Sequence, residues 1–188
     1  MLLDDLTRDV ALMAGESLTL LCESTETGLP SFSERVQLCL GSAFREIILT
    51  IPKEELTGWK SLKGLPMEID DEGCAVIALP PDFVMLHSVR MSDWNRPVAE
   101  ILPANHYLYG VQGRRLKGLR GTPERPLGFF GIKDGSRSLE LYSCRTSTAS
   151  IAEGWYMPMP EVKADGTVEI PERLYEKLVE RLGREIRN

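Results

Sequence analysis

Few side chains in this sequence have the type and spacing that a catalytic or metal site requires. The chain has only two histidines, His87 and His106, and they stand in neither an HxH nor an HxxxH arrangement. A zinc site needs cysteine and histidine ligands clustered at short spacing. The sequence offers no such cluster, so we expect the protein to bind neither a metal nor a cofactor.

The cysteines and serines give an equally weak indication of nucleophilic chemistry. The cysteines are far apart and form no CxxC pair, which favours small buried side chains over disulfides. They are Cys22, Cys39, Cys74 and Cys144. Ser42 lies in a predicted helix and lacks a nucleophile elbow. Ser143 and Cys144 stand at a predicted strand end without a base nearby in sequence. We therefore predict that the protein is not an enzyme.

One alternative to that prediction is an enzyme whose catalytic residues are dispersed along the sequence. Catalytic partners often lie far apart in sequence and meet only in the fold. This alternative predicts a deep pocket that holds Cys144, His87 or His106 beside a carboxylate.

A run of acidic residues precedes the apolar segment that begins at Cys74. Its members are Glu68, Asp70, Asp71 and Glu72. Paired carboxylates can perform acid–base chemistry or hold a divalent cation, but the spacing of an EF-hand is absent. We interpret the run as a solvated turn before a strand.

The segment 112–125 has the most unusual composition in the chain. It carries five basic residues against one acid, Glu124. The basic residues are Arg114, Arg115, Lys117, Arg120 and Arg125. The window 105–137 has a balance of +5 in a chain of net charge −6, so the remainder carries −11. Such asymmetry predicts a basic surface that faces something acidic.

Three interpretations of the basic segment remain open: a solvated loop, a protein interface, or contact with the phosphate backbone of DNA. Stacking aromatic residues are not interleaved with its cations, so sequence-specific reading of bases is not indicated. Trp94 lies in a predicted turn beside Arg96. We interpret Trp94 as a core anchor, with an interface role for Trp94 and Arg96 as the alternative.

Three helices are predicted around these residues from apolar positions at steps of three and four. The first covers Leu2 to Ala14 and stops at Gly15. The second runs from about Ser31 to Thr50, with Glu34 completing a capping box and Pro52 ending it. The third follows Pro171 and ends near the C-terminus. Residues 16–22 fit either a helix or a strand.

The middle of the chain changes to short apolar runs separated by turn residues, which is typical of strands. The predicted strands are Cys74–Leu79, Phe83–Met91, Val98–Leu102, Leu127–Ile132, Ser138–Ser143 and Ser150–Met157. Asp134-Gly135 between two of them is a strong hairpin signal. We expect Ser150–Met157 to pair next to that hairpin.

These elements predict an α+β fold, in which the N-terminal helices and the C-terminal helix pack together with a small antiparallel β-sandwich or barrel-like sheet between them. We divide the chain into an N-terminal helical part, 1–66, a β-rich part, 67–165, and a C-terminal helix, 166–188, that returns to the helical part of one compact chain. The early residues Met1–Asp9 lack the basic region of a secretory signal, and the apolar stretches are far shorter than a membrane helix. We therefore expect a cytoplasmic protein.

Several short motifs resemble those of phage head-to-tail adaptor, or ring, proteins from crAss-like and related Bacteroidetes phages or prophages. The main one is the string Leu79-Pro80-Pro81-Asp82-Phe83-Val84-Met85-Leu86, followed by Val89-Arg90 and Trp94. The stretches Thr122–Pro126 and Ile170–Leu174 and the order of the predicted elements are also similar. One departure is an N-terminal region with little more than two clear helices.

The resemblance implies a virion structural protein that forms a ring, commonly of twelve copies, beneath the portal. Its partners would be the portal protein, tail or neck proteins, and further copies of itself, with possible non-specific contact to DNA in the channel. No membrane and no small-molecule substrate would be involved. The protein would occupy the host cytoplasm during assembly and then the virion neck. Arg114, Arg115, Lys117, Arg120 and Arg125 would face the next subunit or the DNA channel.

Overall fold

A computed structural model describes residues 1–15, 30–112, 119–144 and 146–187. The helices are α1 (Leu3–Ala14), α2 (Phe32–Thr50), the single turn α3 (Tyr109–Gln112) and α4 (Glu172–Arg187), with a 3-10 turn at Lys53–Glu55. The strands are β1 (Lys60–Ser61), β2 (Met67–Ile69), β3 (Cys74–Ala78), β4 (Phe83–Met91), β5 (Leu102–Pro103), β6 (Leu127–Lys133), β7 (Ser136–Tyr142) and β8 (Ile151–Pro158). The whole region 16–22, where the sequence was ambiguous, lies outside the described residues.

The ends of the first two helices are set by the residues that the sequence indicates. Gly15 follows α1 with a φ of 72°, a left-handed conformation that glycine adopts without strain. Before α2, the Ser31 hydroxyl accepts from the Glu34 amide at 3.3 Å, and the Glu34 carboxylate accepts from the Ser31 amide at 2.7 Å. Ile51 is extended before Pro52. The predicted capping box and stop signals are confirmed.

One unit of the structure, the helical unit, comprises Met1–Gly58 and Pro158–Asn188. In it, α4 packs against α1 and α2 and buries Leu178 and Leu182 completely. Burial of such an apolar face is what makes a short helix stable in water. The Tyr175 hydroxyl donates to Asp9 on α1 at 2.5 Å, so a polar contact also links the two ends of the chain.

The other unit, the β unit, comprises Trp59–Met157 and contains two sheets. One sheet has three strands in the order β1-β8-β4, and the other has five in the order β2-β3-β7-β6-β5. The pairs β1–β8, β2–β3, β3–β7 and β6–β7 are antiparallel, while β5 and β6 are parallel. Side chains of both sheets, including Ile77, Leu141, Phe83 and Val89, form one hydrophobic core. The predicted α+β class is confirmed.

The hairpin between β6 and β7 forms at the predicted dipeptide. Asp134 and Gly135 have φ values of 52° and 77°, and Lys133 pairs with Ser136 across the turn. Two consecutive left-handed residues match the right-handed twist of the strands they connect. The sequence signal was sufficient here because the turn is decided by two adjacent residues.

Two strand predictions need correction. The segment Ser150–Met157 does form a strand, β8, but it pairs with β1 and β4 and not beside the hairpin. Val98–Leu102 is not a continuous strand, because Val98 forms only an isolated bridge to Val89 and β5 begins at Leu102. Alternation of apolar residues predicts which face a strand buries, but it does not predict which neighbour supplies its hydrogen bonds.

The motif at residues 79–86 joins several elements of the β unit. The Phe83 amide donates to Pro80 O at 3.0 Å and closes a turn before β4. Asp82 accepts from the Tyr156 hydroxyl of β8 at 3.1 Å and from the Lys60 ammonium of β1 at 2.8 Å. The Phe83 ring stacks on Tyr156, with centroids 5.6 Å apart. Asp82 and Phe83 therefore link β4 to the other two strands of the three-stranded sheet.

Candidate interface at the arginine-bearing turns

The first turn of the candidate interface contains Trp94 and Arg96. The Trp94 amide donates to Met91 O at 3.1 Å, directly after β4 ends. Trp94 is 3% exposed and belongs to the hydrophobic core of the β unit, as the core-anchor interpretation expects. Its burial leaves little of its side chain available to a partner. Arg96, two residues later, is exposed.

The second turn contains Arg125 and is bonded to the first. Thr122 and Arg125 exchange two backbone hydrogen bonds of 3.1 and 2.8 Å, which fix a tight turn before β6. The Asn95 amide donates to Pro123 O at 3.0 Å and joins this turn to the Trp94 turn. The exposed Arg96 and Arg125, which are far apart in sequence, are thus carried by neighbouring turns.

Arg120 connects the same region to the turn of the acidic run. Its guanidinium donates to Glu72 O at 3.1 Å. In that turn, Asp70 Oδ1 accepts from the amides of Glu72 at 2.9 Å and of Cys74 at 2.8 Å. The predicted solvated turn before the Cys74 strand is confirmed for Asp70, Asp71 and Glu72, and its backbone serves as a partner for Arg120. For Glu68 the prediction is wrong, because this residue lies in β2 and pairs with Val76. We call the Trp94 turn with Arg96, the Thr122–Arg125 turn and the bend at Arg120 the arginine turns.

Gln112 lies at the base of this region and is completely buried. Its Nε2 donates to Leu108 O at 2.8 Å and to Leu119 O at 3.3 Å, and its Oε1 accepts from the Gly121 amide at 3.0 Å. The sequence analysis did not single out Gln112. A glutamine at the edge of a basic, glycine-containing segment gives no sequence signal of burial, because its role depends on backbone groups on both sides of it that meet only in the fold.

Two apolar side chains near Gln112 are exposed. Tyr107 is 75% exposed and Leu119 is 49% exposed. Because Gln112 bonds the carbonyls of both Leu108 and Leu119, the backbones that carry Tyr107 and Leu119 run close together. Tyrosine and arginine are enriched at the energetically important positions of protein interfaces. Leu119 was not predicted from the sequence to be part of an exposed surface.

The remaining predicted interface residues, Arg114, Arg115 and Lys117, lie outside the described residues. Within the described part, the arginine turns also carry acidic side chains, among them Asp93 and Glu124. Most of the positive excess of the segment 112–125 therefore comes from the cations at positions 114–117 of the sequence.

A cleft of about 390 Å³ opens beside the arginine turns. Its lining includes Glu72, Arg120, Tyr142, Ser143 and Cys144, and neither histidine contributes to it. Burial raises the pKa of the Cys144 thiol to about 12. A thiol with such a pKa stays protonated at neutral pH, whereas a nucleophilic cysteine needs a lowered pKa. The cleft does place Cys144 near a carboxylate, but it provides no neighbouring imidazole base.

The two histidines occupy separate environments. The His87 ring packs edge-on against Trp59 with centroids 4.8 Å apart, and His106 Nδ1 accepts from the Leu108 amide at 3.3 Å. Cys39, Cys74 and Cys144 are free thiols. In the ranges that the structure covers, no group of three or more potential ligands could hold a metal ion. No helix among the same residues is long and apolar enough to cross a membrane.

Comparisons with known proteins add no family to this description. No protein-family model matches the chain, and no curated protein matches it significantly.

Proposed function

We propose that this protein is a virion assembly protein, a head-to-tail adaptor that forms a ring beneath the portal and has no catalytic activity. The proposal rests on the resemblance carried by residues 79–86 and by the order of helices and strands, and on an interface suited to bind another macromolecule. The observation that carries the proposed binding role is the hydrogen bond between the turns that carry Arg96 and Arg125, with Arg120 close to the second turn in sequence and bonded to Glu72 O.

The charge of the chain is divided between its two units in a way that supports self-association. The helical unit contains 17 acidic and 10 basic residues, a balance of −7. The β unit contains 11 acidic and 12 basic residues, a balance of +1, and includes the whole basic segment. A ring requires two different, complementary surfaces on each subunit. The arginine turns of one copy and the acidic helical unit of the next copy meet this requirement.

The composition of the exposed surface favours a protein partner over DNA as the main contact. Arginines alone suit phosphate groups as well as carboxylates. Tyr107 and Leu119 add exposed apolar area beside them, and leucine contributes nothing to binding a phosphate backbone. A mixed apolar and cationic surface matches an acidic protein surface that also has apolar positions.

Removal of the three arginines tests this proposal. We expect the variant R96A/R120A/R125A to self-associate about tenfold more weakly, as judged by sedimentation velocity over a concentration series, because charge complementarity across the contact is lost. The control is R45A/K63A/K177A, which removes the same charge from exposed positions elsewhere. It is expected to leave self-association at least as strong as that of the wild type, because Arg45 and Lys177 belong to the helical unit and their loss makes that unit more acidic.

The same preparations distinguish the competing functions. Self-association by the wild-type protein that weakens with added salt supports the adaptor proposal. Tight binding of duplex DNA by a protein that stays monomeric, with a steep salt dependence abolished in R96A/R120A/R125A, identifies a nucleic-acid-binding module instead. A wild-type protein that remains monomeric at all concentrations, with and without a portal protein, contradicts the adaptor proposal.

A further inference from the structure

The buried amide of Gln112 is unusual for its position in the molecule. Most buried side chains of the β unit are apolar, and a glutamine in such a place must have its polar atoms satisfied. Gln112 uses three of its hydrogen-bonding positions, and all three partners are backbone groups. Its side chain therefore links backbone groups of residues 108, 119 and 121.

These three bonds join two stretches of chain that carry the exposed surface. Leu108 follows Tyr107, and Leu119 precedes Arg120, so the bonds to Leu108 O and Leu119 O fix the spacing between the Tyr107 side and the Arg120 side. The bond to the Gly121 amide extends the connection to the start of the Arg125 turn. A Cβ on Gly121 would lie 2.4 Å from Ser143 Oγ, so glycine is needed for this close approach to the end of β7.

The α3 turn that bears Gln112 is itself anchored to the five-stranded sheet. The Tyr109 hydroxyl donates to Glu140 Oε1 of β7 at 3.2 Å, and the Tyr109 ring packs edge-on against Phe129 of β6 with centroids 5.3 Å apart. The amide of Gln112 thus connects the exposed surface to a rigid part of the fold. Loss of the Gln112 hydrogen bonds would let Tyr107, Leu119 and Arg120 move relative to one another, while the hydrophobic core between the sheets would stay intact.

We propose that Gln112 is a positioning residue, which holds Tyr107, Leu119 and Arg120 in one prearranged surface for an acidic, partly apolar protein surface. This inference rests on the proposed function, because it specifies how the same interface gains its affinity. Gln112 is buried and does not touch the partner. Its effect is to remove the cost of ordering these side chains when the complex forms.

A thermodynamic cycle tests this role. The variant Gln112→Met keeps a similar volume but loses all three bonds, and Gln37→Met on the exposed face of α2 is the matched control. Self-association is measured by sedimentation velocity for Q112M in the wild-type background and in the R96A/R120A/R125A background. Each variant is first shown to be folded by circular dichroism at the temperature of the measurement.

We expect Q112M to weaken self-association about tenfold in the wild-type background and to have no further effect once the three arginines are absent. A purely structural role for Gln112 would lower stability to the same extent in both backgrounds without this coupling. Wild-type-like association of Q112M, or equal weakening in both backgrounds, overturns the positioning role while leaving the proposed function intact. A wild-type protein that never self-associates overturns both.

Hydrogen exchange of the wild-type protein provides a second test that does not depend on a variant folding. The Gly121 amide donates to the buried Gln112 Oε1, so we expect it to exchange as slowly as the paired amides of β6 and β7. Exchange of the Gly121 amide at the rate of an unprotected peptide group would show that the Gln112 contact does not persist in solution, and it would overturn the inference.

Discussion

Replacement of Gly73 by alanine is expected to destabilise the β unit by about 3 kcal/mol, because two separate penalties act at this position. Gly73 has a φ of 81°, a left-handed conformation that alanine adopts only with strain. A Cβ at Gly73 would also lie 2.4 Å from the backbone oxygen of Cys144. That oxygen is a backbone atom and cannot rotate away as a side chain could, so either the turn at Gly73 or the segment after β7 must shift.

The measurement is urea denaturation followed by tryptophan fluorescence. All three tryptophans, Trp59, Trp94 and Trp155, belong to the β unit, so their emission reports on the unit in which the substitution lies. Gly64→Ala is the matched control: Gly64 has a similar φ of 86°, but no atom lies within 4 Å of an added Cβ. Gly64→Ala is expected to lower the free energy of unfolding by about 1 kcal/mol, which is the conformational penalty alone. Equal losses for the two variants would show that the contact with Cys144 does not matter.

The second large effect is expected from Asp82→Ala, which should destabilise the β unit by about 2–3 kcal/mol. The substitution removes one carboxylate that accepts from both Lys60 and Tyr156. Tyr156 is only 5% exposed, so its hydroxyl would lose its partner in a buried position. The same tryptophan-monitored denaturation measures the change.

Two further variants separate the contributions at Asp82. Asp82→Asn keeps an acceptor for the Tyr156 hydroxyl but loses the charge that attracts Lys60, so an intermediate loss of about 1 kcal/mol is expected. Asp71→Ala removes an exposed carboxylate from the β2–β3 turn and should change stability by less than about 0.5 kcal/mol. A loss in Asp82→Ala as small as that of the Asp71 control would contradict the role assigned to Asp82.

The dependence of stability on pH above pH 10 provides a check on the contact between Asp82 and Tyr156. Burial, together with the charge of Asp82 and the hydrogen bond to it, raises the pKa of Tyr156 to about 12. In the unfolded chain a tyrosine ionises near pH 10. The unfolded state therefore loses its proton first, and the stability of the fold is expected to decrease as the pH rises from about 10 to about 12. Tyr156→Phe should reduce that decrease, because the ionising hydroxyl is absent.

The motif at residues 79–86 has a structural role in the β unit. Asp82 and Phe83 connect β4 with β1 and β8, and the Arg137 guanidinium lies 5.5 Å from the centre of the Phe83 ring. A motif of this kind specifies how a small β unit is held together. It does not supply a reactive group, so the function proposed here depends on the surface of the molecule and not on the motif alone.

Features set by residues close together in sequence were predicted well. The boundaries of α2 follow from the Ser31–Glu34 capping box and from Pro52, and the β6–β7 hairpin follows from Asp134-Gly135. Pairing between distant segments was predicted poorly. The short strands β1 and β2 were not identified, and β8 was assigned the wrong neighbours, because hydrogen bonds between strands depend on which edges meet once both faces of the core are filled.

The amino-acid sequence by itself determined the helices at both ends, the strand-rich middle, the central hairpin and the concentration of positive charge in one segment, because each depends on local periodicity, turn residues or composition. Only the tertiary structure decided that the turns of Arg96 and Arg125 are bonded to each other, that Arg120 bonds the Glu72 carbonyl, and that Gln112 is buried. The physical reason is that each of these contacts has a backbone carbonyl or amide as a partner. Every residue has these groups, so residue identity does not reveal which of them will meet.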